Sequence, residues 1–302
     1  LEQAVAPPMR RPSPVAFEAC AWHRRPLHPE VPISPFLSVS QQASVVRIDP
    51  GARYWTLLGA IVRRDLAVRY KQALLGFAWA VFVPLASMLL FTVIFTRVVP
   101  VETELPYPVY AYAGLLPWTF FSVSLQTATS SLTNNVALIT KVSLPREIFP
   151  ISAVVVAFVD LLLASVVLGA LMAWYGIVPG WTALLVPAVL AIQLALTVGL
   201  ALLLATGNLF FRDVRYLTGV GLTLWMFASA VVYPIEQVGG SLGTLFQLNP
   251  MTPILNAYRS LLLQGELPTV GGLAVAAVLS VGVLLGSWMI FRRVEDRFAE
   301  RI

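Results

Sequence analysis

Residues 149–175 read FPISAVVVAFVDLLLASVVLGALMAWY, and a single ionisable side chain, Asp160, interrupts them. A helix of that length spans about 40 Å, more than the hydrocarbon core of a bilayer at about 30 Å. Working outward from it, five further apolar stretches fall at approximately 76–99, 108–128, 181–209, 216–234 and 269–291, separated by short polar connections. The prediction is an all-α integral membrane protein with six transmembrane helices. Composition points the same way: 58% of residues are hydrophobic, 12% are charged, and the mean hydropathy is +0.80. Soluble domains run at about 45–50% apolar and about 25% charged, so a water-soluble globular domain is excluded. The prolines and glycines are dispersed through apolar runs, which also excludes collagen-like and low-complexity classes.

Charge sets the orientation. Arg47, Arg53, Arg63, Arg64, Arg69 and Lys71 precede the first span. Lys141 and Arg146 follow the second, Arg212 and Arg215 the fourth, and Arg292, Arg293, Arg297 and Arg301 the sixth. Only Arg97 and Arg259 fall on the other side. Under the positive-inside rule both termini are cytoplasmic and the 97–107 and 235–268 connections face outward. The net charge of +5 is read as topology and attraction to anionic membrane lipids. No basic patch in a soluble domain suggests nucleic acid.

Residues 1–50 carry nine of the 22 prolines and no apolar periodicity, so they are expected to form a disordered tail, with 51–302 as the membrane domain. The tail's apolar pieces are too short for a secretory signal, which leaves insertion to the first membrane helix. Cys20, His23 and His28 are the only cysteine and histidines. Three candidate ligands in a Pro-rich stretch make a poor metal site, and no metal is expected. The rest of the chain has no thiol or imidazole for redox or His-dependent base chemistry.

Residues 53–75 are too charged to cross the bilayer but apolar enough to lie on it. Asp65 and Arg69 are four residues apart, the spacing of a helical ion pair. This helix is either a plain juxtamembrane anchor or a gating element. In the 235–268 connection, Asn249, Pro250 and Pro253 lead into Ile254, Leu255, Tyr258, Leu261 and Leu262, an apolar stripe at helical spacing. About ten residues cannot span, so the stripe is expected either to enter and turn back against protein or to lie flat on the outer surface.

Asp160 is essentially the one ionisable residue inside the spans, Arg97 lying at the outer end of the first. With no partner visible in the spans, a structural role bonded to Ser or Thr hydroxyls is favoured over proton transfer. Glu102 and Glu104 have no convergent base, so no catalytic residues are expected and the chain is not read as an enzyme. Many membrane Trp and Tyr residues sit at the lipid interface, yet aromatic faces with few charges also suit a sugar conduit. No GxxxxGK[ST] phosphate loop occurs, so an active transporter of this kind takes its energy from a separate polypeptide. Residues 129–147, with a short helix around Val136 to Thr140, are either its docking site or an ordinary polar turn.

Taken together, RRDLAVRYKQALLGFAWAVFVPL (63–85), YPVYAYAGLLPWTFFS (107–122), NNVALITKVSLPREIFP (134–150), NLFFRDVRYL (208–217), LWMFASAVVYP (224–234) and LNPMTPILNAYRSLLLQG (248–265) resemble the membrane subunits of type-2 ABC exporters of polysaccharides and polyol phosphates, including O-antigen, capsule and teichoic acid. The resemblance runs in unbroken order from about residue 53 to 292. It implies a homodimer in the bacterial inner membrane, two copies of a separate ATPase that carries ATP and Mg, and a lipid-linked glycan as substrate. No cofactor is implied on this chain itself.

By the same resemblance, Leu138, Ile139, Thr140, Lys141, Pro145, Arg146 and Glu147 form the ATPase-coupling segment. Arg63, Arg64, Asp65, Arg69, Tyr70 and Lys71 lie on the interfacial gate helix. Asn249, Pro250, Pro253, Tyr258 and Arg259 belong to the re-entrant outer cap, mapped to approximately 242–263. Phe77, Trp79, Phe82, Trp225 and Phe227 are candidate channel-wall residues. A type-2 ABC exporter of a small drug or lipid shares this architecture. A carrier driven by ions would have to rely on Asp160 almost alone.

Overall fold

The computed structural model describes residues 50–71, 76, 78–98, 100, 105–141, 144–234 and 249–295. The tail expected over 1–50 lies almost wholly outside them. Every regular element among the described residues is helical. Helix α1 covers Pro50–Tyr70, and α2 covers Ala78–Val93 before loosening into a π turn over Ile94–Val98. Helix α3 is Tyr107–Thr129, followed by the short α4, Ser131–Asn134, and α5, Val136–Lys141. Helix α6 is Ile148–Trp174. A 3₁₀ turn at Trp181–Leu185 leads into α7, Val186–Phe210, and α8 is Val214–Ala228. Helix α9 is Met251–Arg259, continued in π form over Ser260–Gln264, and α10 is Val270–Val294.

Local chemistry explains several of these limits. Both α3 and α7 have a proline in the first helical positions, where the missing N–H would have had no partner anyway. Helix α6 stops where Gly176 adopts φ 71°; beyond it the Ile177 amide bonds back to the Met172 carbonyl at 2.8 Å, the reversal that a left-handed residue permits.

Helix α3 is the axis of the bundle. It packs against α2, α6, α7, α8 and α9, and Tyr112, Phe121 and Leu125 along it are fully enclosed. Helices α7 and α10 lie together along their length. Gly199 marks their closest approach, because a Cβ there would come within 2.9 Å of the Leu284 backbone. Small residues serve this purpose where lipid supplies no hydrophobic push between helices.

Four helical segments are long and apolar enough to cross a membrane: Ala78–Val98, Ile148–Trp174, Trp181–Phe210 and Val270–Val294. They coincide with the expected spans at 76–99, 149–175, 181–209 and 269–291. The other two expected spans differ in kind. Helix α3 has the length for 108–128, but protein rather than lipid surrounds it, and so it accommodates Tyr, Ser, Thr and Gln. Helix α8 ends at Ala228 instead of continuing to 234, and its 15 residues reach about 22 Å. Beyond it the chain turns at Ala230, φ 49°, and Val231 and Val232 are buried in the core.

A second, smaller apolar cluster closes one end of the bundle. It joins Leu58 and Ile61 of α1, Leu132 of α4, Ile148 and Phe149 of α6, Leu202 and Ala205 of α7, and Phe291 of α10. Helix α1 is thus attached to the bundle by its own apolar face. It ends at Tyr70 with Lys71 in a turn; residues 72–75 of the expected stretch lie outside the described residues.

Candidate functional site

The segment expected to couple to the ATPase lies at this end. On α5, Leu138 and Ile139 are half-buried against the small cluster, whereas Thr140 and Lys141 are exposed. One short helix therefore has a fixed face and a free one. Pro145 and Arg146 are half-buried and Glu147 is buried at the N-cap of α6, where the helix dipole favours a carboxylate. Arg292, in the last turn of α10, reaches Glu147 at 3.3 Å. The Arg146 guanidinium donates to the Glu295 carbonyl that follows that turn. Tyr54 of α1 lies within the same field: burial pushes its phenol up, with the charge of Glu147 adding to the shift.

Helix α1 contributes charged contacts rather than a free amphipathic surface. Arg64 binds Asp65 at 2.7 Å and the Asn135 amide oxygen at 2.8 Å, and Ser152 donates to Asp65 at 3.3 Å. The expected Asp65–Arg69 pair does not form. Arg69 instead reaches Asp160 on α6 at 2.7 Å, and the Tyr70 hydroxyl donates to the same carboxylate. Desolvation, reinforced by the bond to Asp160, pushes the Tyr70 phenol well above its ordinary range, so it remains a donor. The expectation that Asp160 bonds Ser or Thr hydroxyls is likewise corrected. Its partners lie about 90 residues earlier in the chain, beyond what spacing within a span can reveal. Arg63 and Lys71 are exposed. The Arg69–Tyr70–Asp160 group borders a cavity of about 290 Å³ whose walls include Trp79, Phe120 and Leu161.

The opposite end of α3 is held mainly by neutral polar groups. Asn249 accepts from the Trp225 indole N–H at 2.8 Å and from the Met251 amide at 3.1 Å, and donates to Ser229 at 2.7 Å. Pro250 forms the N-cap of α9 and Pro253 lies in its first turns. Tyr258 donates to Gln193 at 2.8 Å, and Gln193 donates to the Pro117 carbonyl at 2.8 Å, tying α9, α7 and α3 together. Arg259 is buried. It donates to the carbonyls of Ala230 and Val231 and lies 4.0 Å from the Tyr110 ring centroid. A Cβ on Gly114 would overlap both the Arg259 guanidinium and the Val231 carbonyl.

Met251, Ile254, Leu255, Ala257 and Leu261 are all fully enclosed, so α9 does not lie flat on a surface. The part of the expected cap at 242–248 lies outside the described residues. Arg259, counted by sequence as a loop charge, is an interior residue. Gln193 was not singled out from the sequence; an amide in the middle of an apolar span was the available signal. Arg292 as the partner of Glu147 carried no local signal.

The ABC-2 type transporter family matches residues 56–263. The chain belongs to that family. It is 34% identical over 253 residues to an O-antigen export system permease protein RfbA of Myxococcus xanthus, covering 83% of this chain and 96% of the relative. It is 28% identical over 250 residues to an O-antigen export system permease protein RfbA of Klebsiella pneumoniae, covering 81% and 94%. As an ABC-2 transporter the chain is a multi-pass membrane permease whose ATP hydrolysis belongs to a separate subunit.

The candidate wall residues of the permease fall into two groups. Trp79 and Phe82 on α2 are exposed and meet edge to face at 5.5 Å between centroids; Phe227 on α8 is also exposed. Trp225 is half-buried, edge to face with Phe121 at 5.2 Å, and its N–H is held by Asn249. Phe77 lies outside the described residues.

Proposed function

We propose that this chain is the permease of an ABC exporter that carries a lipid-linked polysaccharide, O-antigen or a similar glycan, across the bacterial inner membrane. The observation that supports this best is the near end-to-end likeness to permeases named for O-antigen export, which covers 96% of the Myxococcus xanthus protein. In this reading α2, α3, α6, α7, α8 and α10 make six passes, with both termini and the α5 end in the cytoplasm, and α9 seals the outer side. Two copies of the chain assemble with two copies of the ATPase. The glycan passes between protomers while its lipid stays in the bilayer, and the scarcity of fixed charge along the spans favours release of a long polar chain.

The α5 geometry suits docking to the ATPase. Thr140 and Lys141 are free to enter a partner groove, while Leu138 and Ile139 transmit displacement into the apolar cluster beneath. Lys141→Glu is the cleaner test, since Arg146 also holds α10. The variant should insert normally, retain less ATPase on purification, and export glycan at least about tenfold more slowly, the consequence of a like-charge contact worth about 1.4 kcal/mol or more. Full ATPase retention with unchanged export would remove α5 from the docking role.

A further inference from the structure

We infer that the final turn of α10 is the element that receives the coupling stroke, with Arg292 as its positioning residue. The inference rests on the proposed function, since it concerns how displacement at α5 travels onward. Two consecutive residues at the close of the coupling segment both attach to this turn: Glu147 through the Arg292 side chain at 3.3 Å, and Arg146 through the Glu295 carbonyl. Trp288, Phe291 and Val294 of α10 share one apolar cluster with Leu138, Ile139 and Leu144 of the coupling segment. The segment is therefore joined to α10 by charge, by backbone and by packing.

The charge link is asymmetric in burial. Glu147 has 5% of its side chain exposed and Arg292 55%, and among the described residues Oε2 of Glu147 has no hydrogen-bond partner. A buried carboxylate with one oxygen unsatisfied depends on its remaining cation. The guanidinium of Arg292 lies 5.0 Å from the Trp288 ring centroid, which favours a cation there. Both charges complement their helices, the carboxylate at the start of α6 and the cation at the end of α10.

From α10 the path continues into α7, whose Gly199 meets the Leu284 backbone with no room for a side chain. Backbone contact this close couples the two helices through packing. The stroke at α5 is delivered to the α7–α10 pair and, through the packing of α8 on α7, to α8.

The experiment uses the permease–ATPase complex reconstituted in lipid vesicles, with three readouts: ATPase retained, ATP hydrolysed, and glycan exported per ATP. Arg292→Gln should retain the ATPase and hydrolyse ATP at the normal rate while export per ATP falls about tenfold; Arg292→Lys should recover most of it. The paired exchange Glu147→Arg with Arg292→Glu should outperform either single change, and this comparison stands even where Arg292→Gln assembles poorly. Arg293→Gln, one residue on and exposed, should behave as the parent protein. Normal export per ATP in Arg292→Gln, or an equal loss in Arg293→Gln, overturns the inference. Failure of the parent chain to retain any ATPase would instead overturn the proposed function.

Discussion

The two ends of α3 are held by different kinds of bond. At the α9 end, buried and half-buried amides, hydroxyls and carbonyls interlock, and the buried cation Arg259 is surrounded by backbone oxygens and an aromatic face. At the α5 end the links are ion pairs between long side chains, with Arg64 38%, Arg69 36% and Arg292 55% exposed. Buried hydrogen-bonded networks rigidify, whereas the part-exposed pairs at Asp65 and Asp160 are each worth about 1 kcal/mol or less, and the Glu147 pair has a half-exposed cation on one side. The contrast teaches that the α9 end is the stiff end of the bundle and the α5 end, the proposed docking site, the compliant one.

The sharpest way to break this comparison is Arg259→Met. It leaves the Ala230 and Val231 carbonyls short of a donor in a dry site, and the folded protein should lose about 3 kcal/mol, read as a lowered denaturation midpoint in lipid or detergent. A loss below about 1 kcal/mol would show the α9 end to be no stiffer than the other.

Asp160→Asn is expected to be intermediate. The Arg69 pair is lost but Arg69 can turn to solvent, so stability should fall by about 1 kcal/mol and glycan export should persist. Abolished export with an intact fold would transfer the energy source to an ion carried through Asp160. The smallest effect is expected for Arg64→Gln, whose partners keep other bonds: below about 0.5 kcal/mol, with unchanged retention of the ATPase. A collapse of that variant would place the rigid element at α1 instead.

Much of the architecture was legible because a bilayer imposes length and apolarity on each crossing segment. The runs at 149–175, 181–209 and 269–291 reappear as α6, the Trp181–Phe210 segment and α10 within a few residues. The same rule misled at α8: the run to 234 is apolar throughout, and hydropathy does not register the turn at Ala230 that buries Val231 and Val232. It also could not distinguish α3, apolar because protein encloses it, from a helix that faces lipid. The short α5 was visible as a helix around Val136, but which of its faces is fixed depended on Leu138 and Ile139 finding the small cluster.

By itself the sequence determined the class of protein, the positions of most helices, and, through the ordered motifs between 63 and 265, the transporter family. Each of these follows from solvent preference and local periodicity, which adjacent residues carry. Only the tertiary structure decided the pairings: Asp160 with Arg69 and Tyr70 rather than with a hydroxyl, Glu147 with Arg292, Gln193 between Tyr258 and Pro117. A buried polar group must find a partner, but that requirement does not say which of many distant residues will meet it. Helix packing makes that choice, and it drew Arg69 away from Asp65, its neighbour along the helix.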